Sequence, residues 1–170
     1  IETTDKHLSL PVLKHMMQLT EKILKVRYCY HAGEEQLLLD VDETVKAVKV
    51  NFASSGQQET VWALNLLFYY LLEDKPSCII LEEPEAHLYP DSQKYMVESL
   101  ETFASAGNQV IVTPHSPYIL RELNNLLYVS KIRQVNAQRN RTVPPCEILD
   151  VSWIKVVQVI NGQVSDGMDN

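Results

Sequence analysis

Two short apolar segments with a helix-like segment between them constrain the fold of this chain more than any other feature. The first is Cys78–Leu81, which is uncharged and bounded by Pro76, and the second is Gln109–Val112. Between them, Pro90 suits the first turn of a helix and Gly107-Asn108 suits its end. The order strand, helix, strand predicts parallel pairing with a right-handed crossover. We therefore expect an α/β fold with a parallel sheet core and flanking helices, in which both apolar segments are buried strands and Cys78–Leu81 is a central one.

Further elements are predicted before this core. Apolar residues at helical spacing predict an amphipathic helix over residues 11–27. Two strand-like runs, 37–41 and 45–52, predict a hairpin after it. The apolar run Val61–Leu72 is long enough for a buried helix. The core is thus expected to follow a helix, a hairpin and a second helix.

The pattern changes towards the carboxyl end. Ser116-Pro117 suits the cap and first position of a helix that runs towards Asn124. Strand-like segments follow at 126–129, 146–149 and 156–160. Asn161-Gly162 is a strong hairpin turn signal. A small carboxyl-terminal β appendage is therefore predicted.

Length and composition fit one globular domain. The chain has 170 residues, of which 45% are hydrophobic and 22% charged, so disordered and low-complexity classes are excluded. We interpret residues 1–170 as a single domain, with a helix and hairpin in 1–50, a core in 51–125 and a β-rich tail in 126–170.

The charge balance and the apolar runs exclude two classes of partner for the surface as a whole. Fifteen basic and twenty-two acidic residues give a net charge of −7. This is too acidic for the whole surface to bind nucleic acid or an anionic membrane, so such a contact would be local. The longest apolar run, Val61–Leu72, is too short to cross a bilayer. No membrane segment is predicted.

The amino end and the cysteines indicate the context in which this chain occurs. The amino end has no basic start followed by an apolar run, and it has no methionine, so we expect the chain to begin inside a longer one. The three cysteines, Cys29, Cys78 and Cys146, fit neither a zinc pattern nor a disulfide framework. A reducing cytoplasm is the simplest setting.

A small polar turn precedes the apolar helix at Val61–Leu72. It contains Ser54, Ser55, Gly56 and Gln57. Free amides, the positive end of a helix dipole and serine hydroxyls suit a phosphate oxygen. The alternative is an ordinary capping box, with Ser55 at the cap and Gln58 three residues later.

An acidic group follows the first apolar strand. Glu82, Glu83 and Glu85 lie within four positions and repel one another unless a cation is near. The strand tip therefore predicts a site for Mg²⁺ and an activated water. Because successive strand residues point to opposite faces, Glu82 and Glu83 should differ in role. One would hold Mg²⁺ through water and the other would accept a proton from the attacking water. The alternative is a solvated acidic loop.

The second apolar strand leads to His115, within Thr113-Pro114-His115-Ser116-Pro117. The carboxyl edge of an open parallel sheet is where ligands bind. His115 there could contact a phosphate or hold a water, and a satisfied loop histidine is an equal alternative. Ser116 is a poor nucleophile candidate because a cap serine turns its hydroxyl towards its own helix.

These three groups, in this order on successive strand ends, resemble the second half of an ABC-type ATPase head. Ala53–Gln57 resembles the signature loop, Cys78–Glu83 the Walker B strand, Pro84–Pro90 the D-loop and His115 the switch histidine. The stretch Leu81–Leu88 together with Thr113–Pro117 is most similar to the OLD-like and RecF/SMC-like branch.

The resemblance implies a P-loop NTPase-like fold, a homodimer closed around ATP, and a role for each matching residue. Ser54, Ser55 and Gly56, with Gln57 beside them, would contact the γ-phosphate of ATP held by the opposing protomer. Glu83 would polarise the attacking water, and Glu82 would support Mg²⁺ through water. His115 would contact the γ-phosphate. DNA repair and anti-phage defence are the coupled activities that the resemblance suggests.

The chain departs from the family pattern at several positions. Ser55 replaces a signature glycine, Glu82 stands where many relatives have aspartate, and Pro114 precedes the histidine. More importantly, no G-x-x-x-x-G-K-[ST] loop occurs. We therefore expect a carboxyl-terminal lobe whose amino-terminal Walker A lobe is missing, and weak or absent turnover by this chain alone.

Two further readings of the same residues stay open from the sequence. One is a metal-dependent hydrolase with Glu83, Glu85, His87 and His115 as direct ligands, although Pro84 argues against a regular helix through them. The other is a non-catalytic dimerisation or scaffold lobe that only completes a partner's site.

The basic and aromatic residues outside the motifs are expected to serve the surface and the core of the fold. The run Lys131, Arg133, Arg139 and Arg141 is predicted to be a solvated hairpin, with a nucleic-acid contact as the alternative. Trp62, Tyr69 and Tyr70 are expected to pack in the core, as is Trp153 in the tail.

Overall fold

The computed structural model describes residues 10–41, 44–73, 75–137, 152 and 154–167. The chain divides into two compact units, residues 1–123 and residues 124–170. In chain order the elements are α1 (Leu10–Leu24), β1 (Arg27–His31), β2 (Glu34–Val41), β3 (Thr44–Lys49), α2 (Ser55–Leu72), β4 (Cys78–Glu82), α3 (Pro90–Ser105), β5 (Gln109–Thr113), α4 (Pro117–Ala137), β6 (Val157–Ile160) and β7 (Gln163–Asp166). A single turn of 3₁₀-helix, Val50–Phe52, lies between β3 and α2.

The core of the first unit is built mainly from three helices, with Leu37 of β2 and Ile79 of β4 packed into it. Helix α1 buries Met16, Leu19 and Ile23, which are three or four residues apart and so share one face. The same cluster contains Leu64 and Leu67 of α2, together with Leu100 and Phe103 of α3. The predicted helix over residues 11–27 is confirmed, but it ends at Leu24, where Lys25 takes a positive φ of 57°.

The predicted hairpin is part of a three-stranded antiparallel sheet. Strand β2 pairs with β1 on one side and β3 on the other, and Leu37 lies opposite both Tyr28 and Val48. Strand β1 was not predicted from the sequence: Arg27 was assigned to the end of the first helix, and residues 28–31 were assigned to no element. The second predicted run, 45–52, ends early because Val50–Phe52 turns into the 3₁₀-helix.

The parallel pair that the sequence predicted is present. Strands β4 and β5 pair in parallel, with Ile79 opposite Val110 and Glu82 opposite Thr113. Helix α3 connects them and begins with Pro90 in its first turn, as expected. The α/β class is confirmed.

The surroundings of β4 differ from the prediction of a central buried strand. Within the described residues β5 is its only strand neighbour. Ile79 faces the core and is 4% exposed, whereas Ile80 is 65% exposed. Ile111 of β5 is exposed beside it. One face of the parallel pair is therefore open, although parallel sheets normally have both faces covered.

Helix α2 also has an open face, which overturns an expectation about its aromatic residues. Trp62 is 72% and Tyr69 is 56% exposed, so neither packs in the core, whereas Tyr70 packs against it. The run is apolar on all sides, but its neighbours in the first unit cover only the face of Val61, Leu64, Leu67 and Leu71. Apolar character alone could not tell which face would be covered.

Helix α4 is longer than predicted. It continues through Leu126–Val129, predicted as a strand, and ends at Ala137. After Pro117 it contains no proline or glycine that would stop it, so the helix extends past Asn124. Lys131 and Arg133 therefore lie on a helix and not on a hairpin. Arg139, Arg141, residues 146–149 and Trp153 lie outside the described residues.

The described part of the tail contains the predicted hairpin. Strands β6 and β7 pair antiparallel, with Ile160 opposite Gln163. Asn161 and Gly162 have positive φ of 51° and 76°, as both central residues of a type I′ turn must. The turn prediction is confirmed. Of the helices described in the chain, none combines the length and apolar character that a membrane span requires.

Candidate functional site

The carboxyl ends of β4 and β5 bring two of the predicted site segments together. The parallel register places Glu82 beside Thr113. The amide of Glu83 then donates to the carbonyl of Thr113 at 3.2 Å, which continues the ladder one residue beyond the strand. The acidic group after β4 and the histidine segment after β5 therefore leave the sheet side by side.

Glu83 and His115 form the closest pair of titratable side chains at this edge. Oε1 of Glu83 lies 3.2 Å from Nε2 of His115, and the two side chains are 54% and 80% exposed. Glu83 has a φ of +46°, an uncommon conformation for a residue other than glycine. Such backbone strain is concentrated at functional sites. The pair presents a carboxylate and an imidazole together to solvent, and a carboxylate so placed can accept a proton from a bound water.

Glu82 lies on a different face from Leu81 and belongs to the open side of the parallel pair. The burial pattern along β4 alternates, with Ile80 and Glu82 exposed and Ile79 and Leu81 turned towards the core. The Glu82 carboxylate offers the hard oxygen that Mg²⁺ prefers. Mg²⁺ commonly uses only one or two protein carboxylates and completes its shell with water and phosphate oxygens. The residues at the strand end fit that kind of site.

The metal-hydrolase reading required Glu83, Glu85, His87 and His115 to converge. They do not: Glu85 turns inward to backbone amides, and Nε2 of His87 lies 3.9 Å from Glu59 instead. Across the described residues, no group of three or more histidine, cysteine, aspartate or glutamate side chains is arranged to hold a metal ion. The structure therefore contradicts direct ligation by these four residues.

The polar turn before α2 is capped one residue earlier than the sequence suggested. Ser54, not Ser55, is the N-cap, and its hydroxyl accepts from the amide of Gln57 at 3.3 Å. The Gln57 side chain accepts from the amide of Ser54, which completes a capping box. Gln58, the predicted partner, donates instead to the carbonyl of Ala53 at 2.9 Å. Of the four residues predicted to bind phosphate, Ser54 and Gln57 are therefore already bonded to each other in the capping box.

Gly56 is explained by a contact within the chain. It is buried, and a Cβ added to it would overlap the Cβ of His87 and lie 3.3 Å from its Cγ. His87 itself has a φ of +62° in the loop that follows Glu83. The first turn of α2 and the loop after β4 therefore pack directly on each other. Among the described residues, no hydrogen bond or ion pair joins Ser54–Gln57 to Glu83 or His115.

Two residues of this region hold the segment after β5 in a way that the sequence did not predict: Gln93 was assigned no role, and Glu85 was proposed only as a member of the acidic metal site. Glu85 is 5% exposed, and its Oε1 accepts from the amides of both His115 and Ser116. Gln93 on α3 accepts from the hydroxyl of Ser116 at 2.6 Å and donates to the carbonyl of Leu88. The signal for Glu85 was the acidic cluster itself. Sequence could not show which of its carboxylates turns inward.

Ser116 acts as a cap, as predicted. Its hydroxyl accepts from the amide of Tyr118 at 3.3 Å in the first turn of α4. The same hydroxyl donates to Gln93. It is therefore engaged on both sides, which fits its exclusion as a nucleophile.

Comparison with known proteins identifies the family. The sequence model of the AAA ATPase domain family matches residues 2–120, well over half of the chain. The chain therefore belongs to the AAA ATPase domain family. This confirms the predicted relationship to ATPases and the P-loop NTPase-like α/β class.

Other comparisons are weaker. A solved structure from work on ATP-driven dimerization and DNA-stimulated activation of SMC ATPases is similar over 91% of this chain and 80% of that chain, at 14% identity and a TM-score of 0.45. A search of curated protein sequences finds no match. The family assignment accordingly depends on the family model alone.

Proposed function

We propose that this chain supplies the catalytic and signature-like residues of an ABC-type ATPase head, which binds and hydrolyses ATP as a homodimer. The observation that carries the proposal is the Glu83–His115 pair at the carboxyl ends of two parallel strands. Membership of an ATPase family supports the same reaction. This edge of an open α/β sheet is also where such folds bind their ligands.

Each residue has a separate task in this proposal. Glu83 accepts the proton of the attacking water, and its solvent-facing position leaves room for that water. His115 contacts the γ-phosphate from the next strand. Glu82 supports Mg²⁺ through water, and Mg²⁺ neutralises the charge that develops on the phosphate oxygens. Positioning and charge stabilisation are the main contributions that a protein makes to phosphoryl transfer.

The signature-like segment serves the opposing protomer. Ser54 and Ser55 lie exposed at the positive end of the 18-residue helix α2. The Ser54 hydroxyl and Gln57 amide are engaged in the capping box, so the first-turn amides of Ser55 and Gly56 are the donors proposed to meet the γ-phosphate. Action on the opposing protomer agrees with the lack of a hydrogen bond from this segment to Glu83 or His115 within the described residues.

A second lobe, carrying the Walker A loop, is required for this chemistry. The sequence has no phosphate-cradling glycine-lysine loop. Two apolar faces that no described element of the first unit covers support a missing lobe: the stripe of Trp62, Leu66 and Tyr69 on α2, and the face of Ile80 and Ile111 on the parallel pair. Contiguous exposed apolar surface commonly marks an interaction site. We propose that the Walker A lobe covers these faces, and that the assembled head serves DNA repair or anti-phage defence.

A first experiment tests whether this chain binds ATP without the Walker A lobe. Titration calorimetry of this chain with Mg²⁺-ATP, with EDTA and Glu83→Gln controls, should show no micromolar binding. Micromolar, magnesium-dependent binding would mean that this chain contains its own phosphate site, and would overturn the requirement for a second lobe.

A second experiment tests catalysis in the protein that contains both lobes. Glu83→Gln should lower kcat for ATP hydrolysis by about 10²-fold or more, because an acid–base residue contributes roughly that factor. Glu34→Gln is the matched control, since Glu34 is similarly exposed at 46% but pairs with Lys49 away from the site. Turnover unchanged by Glu83→Gln would leave the non-catalytic dimerisation or scaffold lobe as the function.

A further inference from the structure

The carboxylate of Glu85 is buried in the loop between β4 and α3, yet it has no role in the chemistry above. The side chain is 5% exposed. Its Oε1 accepts from the amide of His115 at 2.5 Å and from the amide of Ser116 at 2.7 Å. Hydrogen bonds to an ionised acceptor are shorter and stronger than neutral ones. One oxygen atom thus holds two successive amides of the segment that leaves β5.

The other oxygen makes the burial of Glu85 costly. Oε2 is buried and has no hydrogen-bond partner among the described residues. A buried polar atom without a partner destabilises the fold, and a buried charge does so more strongly. A neutral, smaller residue would avoid this cost if the position served only packing. The two hydrogen bonds from the amides of His115 and Ser116 therefore explain why a carboxylate occupies this position.

The exposed position of the His115 ring indicates what those amide bonds fix. The side chain is 80% exposed, so few neighbours restrict the imidazole, and its one ion-pair partner in the described residues is Glu83 at 3.2 Å. Where the ring lies is then decided mainly by the backbone from which it projects. Glu85 holds that backbone directly, only two positions after Glu83 in the same loop.

A second link joins the same two segments. The hydroxyl of Ser116 donates to Gln93, and the Gln93 amide group donates to the carbonyl of Leu88 in the Glu85 loop. The amide of Glu83 also donates to the carbonyl of Thr113. Besides the Glu83–His115 side-chain pair, three sets of hydrogen bonds thus connect the loop after β4 and the segment after β5. Of these three sets, the Glu85 bonds are the ones that hold the backbone of His115 itself.

We infer that Glu85 is a positioning residue, whose buried carboxylate sets the backbone of His115 so that the imidazole meets the Glu83 carboxylate. This inference deepens the proposed function and rests on it for its catalytic consequence. Its structural part can be measured in this chain without nucleotide. The two parts can therefore fail separately.

The structural part is tested by nuclear magnetic resonance on the 170-residue chain. Glu85→Gln keeps the shape of the side chain but removes its charge. Amide hydrogen exchange at His115 and Ser116 should become faster by about 10- to 100-fold, as expected when charge-assisted bonds are replaced by neutral ones. Nuclear Overhauser contacts between the His115 ring and the Glu83 side chain should weaken. Glu98→Gln on α3, a partly exposed acid paired with Lys94, is the matched control and should change neither readout.

A measurement on the unaltered chain protects the test against a variant that fails to fold. The amides of His115 and Ser116 should be protected from exchange and their proton signals shifted downfield by the carboxylate. If both amides exchange as freely as exposed ones, or if Glu85→Gln folds with both amides and the ring contacts unchanged, the inference is overturned.

The catalytic part is tested in the protein with both lobes. Glu85→Gln should lower kcat for ATP hydrolysis about tenfold or more while KM for ATP changes less than about twofold, because the water-activating geometry is lost and substrate binding is not. Normal kcat together with displaced His115 would overturn the positioning role. If Glu83→Gln also leaves turnover unchanged, the proposed function fails, while the structural link from Glu85 to His115 stands on the resonance data.

Discussion

Gly56 and His87 are in direct contact, and the contact leaves no room for a side chain on Gly56. A Cβ built there overlaps the Cβ of His87. Gly56 lies in the first turn of α2, and His87 lies in the loop that begins with Glu83. The glycine that resembles a signature residue therefore also determines how closely α2 approaches the acidic loop.

Gly56→Ala should lower the free energy of unfolding by about 1–3 kcal/mol, as expected for overpacking. In an open helix position the same change would stabilise by about 0.5–1 kcal/mol, so the sign of the effect separates the two situations. Urea denaturation of the chain provides the measurement.

A double-mutant cycle identifies His87 as the cause. His87→Gly removes the Cβ that Gly56→Ala would meet, and glycine is well suited to the φ of +62° at that position. Gly56→Ala should therefore cost less in the His87→Gly background. Equal costs in both backgrounds would show that the clash lies elsewhere.

The cap of α2 is predicted to depend on Ser54. Ser54→Ala removes the acceptor for the Gln57 amide and should destabilise the chain by about 1 kcal/mol. Ser55→Ala is the matched control, because Ser55 is the first residue inside the helix and alanine favours helix. Thermal unfolding of the two variants compares them. A larger loss of stability for Ser55→Ala than for Ser54→Ala would mean that Ser55 is the N-cap, as the sequence suggested.

The open face of α2 predicts an unequal response to removing aromatic residues. Trp62 is 72% exposed, so Trp62→Ala should change the free energy of unfolding by no more than about 0.5 kcal/mol. Phe103 is fully buried, so Phe103→Ala should cost about 3–5 kcal/mol. Denaturant titration measures both. A cost for Trp62→Ala close to that for Phe103→Ala would mean that this chain covers the α2 stripe itself.

The raised pKa of Tyr28 predicts that the chain loses stability at alkaline pH. Burial, followed by its hydrogen bond to Glu35, raises the pKa of Tyr28 from 10.0 to about 12. The hydroxyl donates to Glu35 at 2.7 Å, and Asn65 of α2 donates to both, so the neutral phenol is favoured in the folded state. As the pH rises from about 10 to about 12, the unfolded chain loses the proton first. The stability contribution is complete below about pH 10 and falls through this range.

The alkaline prediction is measured by urea denaturation at several pH values across the same range. Tyr28→Phe has no phenol to titrate and should show a smaller decrease between about pH 10 and about pH 12. Parallel decreases in the two proteins would assign the alkaline loss to other groups.

The sequence by itself determined the class of fold and the order of the site segments. An uncharged run before Glu82, a second before Thr113 and a proline-started helix between them specify a parallel pair, because strand and helix periods and the crossover rule act locally. The same pairing placed Glu83 and His115 at one sheet edge. The Asn161-Gly162 turn was equally readable, since few residue pairs adopt two positive φ angles.

The tertiary structure decided which groups turn inward and which surfaces stay open. Ser54 and Ser55 are chemically equivalent cap candidates, and only the path of the chain out of the 3₁₀-helix selected Ser54. Glu85 is one of three neighbouring acids, and only the approach of the His115 and Ser116 amides made it the buried one. Trp62 belongs to the same apolar run as its buried neighbours, yet no described element of the first unit covers it. Which of these residues is buried depends on contacts between segments distant in sequence. Local sequence patterns do not predict the energies of such contacts.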